Sequence, residues 1–338
     1  MAFNAQEFVK LALDSRHGVG EAVKYSKNDV QSVLREQLIE LNGGSTKFDR
    51  KAMRGERGAQ IYALIEEVVQ REENRYWENN EVVNRIVDYR NTSLGDEQQF
   101  YVPDKSFFAV ADISEDNTAL RRQRLEGGSY FTVPTSLHGI KLYEEANRVL
   151  AGRIDFNDMI DRALVSLNKA NYERVMKAWQ SIGADTLGSV YAPSVAGNYS
   201  ESALLDIIAH VEAETGTVPT LFGTKKALRA IAPSIVTTSE AGKNELNNMG
   251  YMGKFYGCDV VALTQAHKTN STDFVLDDKT IFVMGSSDKP IKYITEGDAM
   301  IEERSGFDNS DLTYEWLYME RTGIGIVVNQ AFGKYQFA

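Results

Sequence analysis

Residues able to do chemistry are few in this chain, and they are scattered. The histidines His17, His138, His210 and His267 have none of the close spacing that zinc sites use, so each reads as a solvated or locally bonded ring. The lone Cys258 lies between Gly257 and Asp259 at the start of an apolar run, the setting of a small buried hydrophobe rather than a nucleophile. Glu302 and Glu303 are adjacent on a strand-like segment and point to opposite faces, so they cannot share a proton-transfer task. Gly18-Val19-Gly20 and Gly323-Ile324-Gly325 lack the rest of any phosphate-cradling pattern. The second pair sits inside a β run, where glycine marks a tight turn or a close backbone approach. No catalytic residue, metal ligand or cofactor site is expected.

Arg121, Arg122 and Arg124 form a compact basic cluster. It reads either as a solvated loop or as a tip that docks on an acidic neighbouring subunit, where charges set register more than affinity.

The cluster belongs to an arm from about Gln98 to Pro134. Ser106–Ile113 alternates Phe107, Ala109, Ala111 and Ile113 against Phe108 and Val110, which predicts a strand. Ser114–Glu126 is a charged tip, Gly127-Gly128 a hinge, and Ser129–Val133 the return strand. A long helix is predicted from Asp155, a good N-cap, to Ile182, closed by Gly183. At ~1.5 Å per residue it spans roughly 40 Å, which suits a spine.

Upstream, helices are predicted over residues 2–14, Asp29–Leu41 and Gly58–Tyr89. The charged middle of the last, Arg71–Asn80, has only Tyr76 and Trp77 as large anchors. Downstream, Glu201–Glu214 and Thr224–Ile231 read as helices alternating with strands Pro219–Phe222 and Asp259–Thr264, a small α/β unit. The end is nearly all strand: Thr280–Met284, Ile291–Thr295, Ala299–Glu303, Leu312–Glu320 and Ile324–Asn329.

Composition excludes several classes. The 338 residues are 43% hydrophobic and 25% charged, which argues against disorder, and no apolar run is long enough to cross a bilayer. The N-terminus reads as an amphipathic helix without a cleavage site, and one cysteine allows no internal disulfide, consistent with a reducing cytoplasm. Net charge is −11. Residues 1–95 hold 14 basic and 15 acidic residues, leaving 23 against 33 of the chain's 37 and 48 for the rest. Such an acidic body does not grip phosphate backbones.

The segments TLFGTKKALRAIAP and GYMGKFYGCDVVALTQ, with DKTIFVMGSSDKPIKYI and RTGIGIVVNQAFGKYQF, resemble the tailed-phage major capsid proteins of the Hong Kong ninety-seven type. The resemblance covers roughly residues 96–338 and lies mainly in the order of elements. It implies an α+β fold. Its parts would be an N-terminal helical arm at 1–95, an extended hairpin loop at 96–135 and a peripheral domain with the spine helix at 136–185. A central α/β axial domain at 186–290 and a C-terminal β return to the peripheral domain at 291–338 complete it.

The resemblance implies a subunit that self-assembles through pentamers and hexamers into an icosahedral shell around double-stranded DNA. Assembly would take place in the host cytoplasm. A separate scaffolding protein, a portal and decoration proteins are the implied partners, with DNA touched weakly and no membrane contact. The sequence starts at Met1, so a fused scaffold removed by proteolysis is not expected. Residues assigned to contacts between subunits are Lys105, Phe107, Phe108, Arg121, Arg122, Arg124 and Trp77. Some members join a loop lysine to a neighbour's asparagine with a glutamate assisting. Lys105 and Asn329 are the nearest counterparts, but Lys105 lies at the arm's base and no Glu follows Asn329.

Two alternatives carry different consequences. An encapsulin-like nanocompartment shares the resemblance, although the helical lead-in of 95 residues favours a phage shell. A nucleotide-using α/β enzyme centred on 186–290 would need a nucleophile or phosphate loop at a strand end, and the sequence supplies neither.

Overall fold

A computed structural model describes residues 5–17, 27–41, 44, 67, 81–104, 106–110, 112, 122–125, 127–144, 156–193, 199–231, 240–285, 288–304, 314–329 and 331–337. Two helices open the chain, α1 (Ala5–His17) and α2 (Lys27–Leu41), in contact with one another and burying Val9, Ala12 and Leu34. The predicted third helix is shorter at its end than expected. Helix α3 (Glu81–Ile86) gives way to strand β1 (Val87–Thr92), because Val87 and Tyr89 pair in register with Ile291 and Tyr293. The sheet contact overrides the helical periodicity there.

The arm's root is a two-stranded ribbon of β2 (Gln99–Val102) and β3 (Ser129–Thr132). Next come β4 (Ser136–Glu144) and the spine helix α4 (Phe156–Ser181), within one residue of its predicted end. A short helix α5 (Ala184–Leu187) leads to α6 (Glu201–Thr215). Ser200 caps α6 by accepting the Ala203 N–H, and Gly216 ends it in the left-handed region at φ 66°. Then follow β5 (Thr220–Thr224), α7 (Lys225–Ala230), α8 (Glu240–Met249), β6 (Lys254–Phe255), β7 (Cys258–Leu263) and β8 (Thr280–Met284). The chain finishes with β9 (Ile291–Glu296), β10 (Met300–Arg304), β11 (Tyr314–Ile326) and β12 (Phe332–Gln336).

Two five-stranded sheets result. The first runs β1-β9-β11-β10, with β4 on the far side of β11. The second runs β12-β8-β5-β7-β6. The expected C-terminal return is therefore divided: β9, β10 and β11 join the first sheet, whereas β12 pairs with β8 in the second. Strand β1, placed by sequence in the N-terminal arm, also belongs to the first sheet. Leu312–Glu320 and Ile324–Asn329 are not two strands. The one long strand β11 passes straight through Gly323 and Gly325.

Every residue of β8 is buried because both faces of its sheet are covered. Ile281 and Val283 face Leu204, Ile207 and Val211 of α6, while Phe282 and Met284 face α4. The spine helix contributes Tyr172, Val175, Met176, Trp179 and Ile182 at helical spacing, and the same core takes in Ile291 and Tyr293 of the first sheet. A single apolar cluster thus welds the two sheets through the C-terminal half of α4. Cys258 lies in the other cluster, buried, with burial raising its thiol pKa.

A polar bridge sets the register of α4 on the first sheet. The Asn171 amide donates to Glu320 Oε1 at 3.0 Å, and Arg174 donates to Thr322 Oγ1 at 2.8 Å. Tyr318 donates to the other oxygen of Glu320. Asn171, Glu320 and Thr322 are all buried, so sliding the helix by one residue would break both bridging bonds and leave Glu320 with Tyr318 alone.

Candidate assembly arm and its root

The arm leaves and rejoins the molecule at one place on the first sheet. Phe100 and Val133 plug into Ile294 and Val327, forming a small apolar cluster of their own. Two cations approach the Phe100 ring, the Arg90 guanidinium at 4.7 Å and the Lys292 ammonium at 5.5 Å from its centroid. Lys292 is buried and lies 3.3 Å from Asp88 and 3.8 Å from Asp288. Asp288 in turn accepts the backbone N–H of Asn329 at 3.1 Å.

A second device stands beside the plug. Glu296 accepts the Gly95 N–H at 2.9 Å through one carboxylate oxygen, and the Thr135 hydroxyl through the other. Arg321 lies 3.8 Å from the latter oxygen. The Thr135 hydroxyl and the Gly95 amide hold this carboxyl below the usual carboxylate range.

Glycines make the fit possible. A Cβ on Gly325 would stand 2.4 Å from Val133 Cγ2, and one on Gly323 would stand 2.7 Å from the Pro134 carbonyl oxygen. The close backbone approach anticipated for this pair is what the structure contains. Gly128, expected to be a hinge, is held just as tightly: a Cβ there would meet Val102 O at 2.2 Å, under the Tyr101 ring. Its glycine serves proximity rather than bending.

Farther out, the predicted strand from Ser106 is absent over its described residues, 106–110, which form no ladder. The return strand pairs instead with Gln99–Val102. In place of a ladder, Gln123 brackets Ala109: its Oε1 accepts the Ala109 N–H and its Nε2 donates to the Ala109 carbonyl, both at 2.7 Å. A side-chain amide thus does the work of one strand pair. It ties Ala109 to Gln123 across the arm.

Of the residues assigned to contacts, Lys105, Arg121 and Trp77 lie outside the described residues, as does the tip at 113–121. Phe107 is 97% exposed and Phe108 55%, with Val110 also at 97%. Arg122 and Arg124 are exposed next to Gln123. Phe107, Phe108, Arg122 and Arg124 therefore share one stretch of arm. Sequence reasoning missed Glu296, Thr135, Phe100 and Lys292. The available signal was a pair of charges four apart on one face of a largely apolar strand, Lys292 and Glu296 on either side of Ile294, which marks buried ions with dedicated partners.

The histidines stay apart. His138 bonds Ser136 at 2.8 Å, and burial, then Arg174, lowers its pKa. His267 donates from Nδ1 to the Thr272 carbonyl at 2.9 Å, and His210 meets Tyr191 edge-on. Among the described residues no group of three His, Cys, Asp or Glu could hold a metal ion, and no helix is long and apolar enough to cross a membrane.

The arm is thus rooted on the first sheet, and the spine helix welds that sheet to the second. A family model described as "SPbeta prophage-derived putative capsid protein YonB" matches residues 15–336. The chain belongs to this capsid-protein family. The capsid subunit's fold is shared with solved shells. The capsid of Helicobacter pylori bacteriophage KHP30 superposes with a TM-score of 0.50 at 11% identity, covering 76% of this chain and 89% of that one. The capsid of a native GTA particle gives 0.50 at 12% identity, with 76% and 89% covered. A comparison with curated proteins found no match. The capsid subunit is a structural protein of the virion shell, with the phage major capsid fold.

Proposed function

We propose that this capsid subunit closes through rings of five and six copies into an icosahedral shell around double-stranded DNA, its arm seated on a neighbouring copy. The observation that carries the reading is the exposure of Phe107 and Val110, 97% each, on the outer arm, where residues 106–110 form no ladder. Large apolar side chains held away from the core on a projecting segment need a partner surface. Head-to-tail contacts that close on themselves make rings, and arms reaching across rings join them.

Arg122 and Arg124 beside the apolar residues, on a chain of net charge −11, supply the charge complement that orients such docking. Lys105, Arg121 and Trp77 complete the proposed contact set. The same acidity lets DNA slide against the shell instead of sticking. A separate scaffolding protein and a portal are the partners this reading requires, decoration proteins an optional addition, and the host cytoplasm the place of assembly. The proposed domains are the N-terminal arm to residue 95, whose last residues lend β1 to the first sheet, the hairpin loop at 96–135, the peripheral domain at 136–185, the axial domain at 186–290 and the C-terminal return at 291–338, whose β12 joins the second sheet.

Light scattering of the purified protein, with negative-stain microscopy of the same sample, tests it. Hollow megadalton particles, or rings of five and six, are expected, with a scaffolding partner added if the protein alone stays small. A species that remains monomeric, near 37.8 kDa, even with scaffold overturns the reading.

A further inference from the structure

The two feet of the arm, Gly95 before it and Thr135 after it, meet on a single side chain. Glu296 is 8% exposed, and it accepts a hydrogen bond from each of these feet: Gly95 N–H to Oε1 at 2.9 Å, Thr135 hydroxyl to Oε2. A buried carboxylate is unfavourable unless it is fully engaged, so its presence at the end of a fully buried strand needs an account. Its neighbours supply one. Two positions before it, Ile294 takes the Phe100–Val133 plug. One position after it, Gly297 at φ 73° donates its N–H to Thr92 O at 2.7 Å, wrapping the turn that leads to Gly95.

We propose that Glu296 is the positioning residue that fixes the direction in which the arm leaves the sheet, so that the arm bends only beyond Val102 and Gly128. Three restraints act together at the root. The carboxylate fixes the separation of the feet. The plug fixes their depth. The bare Gly323 and Gly325 leave no room for Pro134 and Val133 to shift without losing contact. Each residue along an extended segment adds up to ~3.3 Å, so a small rotation at the root becomes a large displacement of Phe107 and Val110. Accurate seating on a neighbour therefore depends on a residue that touches no neighbour. The inference rests on the reading that the arm seats on another copy.

The test uses the full chain with Glu296→Ala, Glu296→Gln and Thr135→Val, read first by amide hydrogen exchange on unassembled subunits. Glu296→Ala is expected to raise exchange in 99–102 and 129–132 at least tenfold, leaving 280–284 and 332–336 unchanged. Glu296→Gln keeps an acceptor for Gly95 and offers an amide donor to the Thr135 oxygen, so it restores most of the protection. Glu296→Met, a fourth variant, fills the same space without the bonds, so a merely space-filling role would leave Met as well protected as Gln, whereas the proposal expects Met to loosen the root as Ala does. If Glu296→Ala fails to fold, Thr135→Val, which removes only a hydroxyl, carries the same expectation for 129–132.

Root exchange equal to wild type in Glu296→Ala, or in Thr135→Val where that stands in, overturns the proposal, as does equal loosening by Ala and Gln. Assembly is read second. A loosened root with open or mis-sized particles supports both proposals. A loosened root with normal shells leaves the latch standing and overturns the seating of the arm.

Discussion

Trp179 lies nearly flat on Phe282, ring centroids 4.3 Å apart and planes 21° from parallel. The contact joins the last turns of the spine helix to the central strand face of the second sheet, and Phe222 closes it edge-on at 6.0 Å. Because the same cluster includes Ile291 and Tyr293, the indole stands where helix, first sheet and second sheet meet.

Replacing Trp179 tests that weld. Trp179→Ala is expected to destabilise the unassembled subunit by about 3–5 kcal/mol, the cost of a large cavity in a packed core. Trp179→Phe is expected to cost less, about 1–2 kcal/mol, since it keeps the stack and removes an indole N–H that has no partner among the described residues. Urea unfolding followed by fluorescence of the remaining tryptophans and by far-UV circular dichroism would read both. Equal losses for Ala and Phe would contradict a stacking role.

Gly325 offers a sharper steric probe. A Cβ there falls 2.4 Å from Val133 Cγ2, and a β-branched side chain in a packed root cannot retreat by an ångström without moving its backbone. Gly325→Ala is expected to cost about 1–3 kcal/mol and to displace residues 131–135 while leaving the second sheet in place. Val133→Ala should recover part of that loss in the double variant. A thermal-melt series over the two single variants and the double measures the coupling, and strict additivity would argue against the contact.

Strong periodicity made much of this fold legible. The spine helix announced itself through apolar residues from Phe156 to Trp179, and β8 through an unbroken apolar run, because these elements bury faces that their own sequence defines. Two kinds of feature stayed hidden. Val87–Tyr89 continued a helical pattern, yet the residues that claim them lie some two hundred positions away at Ile291–Tyr293, a pairing no local window contains. Phe107–Val110 alternated like a strand but gained no ladder, since Gln123 supplies the bonds from a side chain. The arm was visible as a polar insertion between apolar ends. Its socket was not, because Glu296 and Thr135 reveal their relation only once β9 lies beside the arm's feet.

Asp88 gives the root a pH dependence. Burial alone would raise its pKa, but the Arg90 hydrogen bond and the Lys292 charge overrule it and hold it below 3.8. A carboxyl depressed in the folded state contributes stability that is fully present above its unfolded pKa and is lost as pH falls through the folded value. Asp88→Asn is therefore expected to cost about 1–3 kcal/mol at pH 7, where Lys292 loses its nearer partner, and progressively less below about pH 4. Unfolding curves at pH 7, 5 and 3 measure the difference between variant and wild type. A gap that stays constant across that range would remove Asp88 from the acid response.

The arm's apolar surface makes the last prediction. Phe107 and Val110 are exposed and Phe108 half-exposed, so the isolated subunit gains little from them. Phe107→Ser with Val110→Ser is expected to leave unfolding free energy within about 0.5 kcal/mol of wild type. Assembly should respond in the opposite manner. If both side chains fill a site on another copy, each loses about 1.5–3 kcal/mol of burial on substitution, repeated at every contact in a shell. The double variant should remain soluble as small species where the wild type forms particles, and deletion of residues 114–126 should do the same by removing the arm's tip. Light scattering and negative stain on matched concentrations decide it. A variant of unchanged stability that still forms normal shells would mean the arm's apolar residues meet no neighbour.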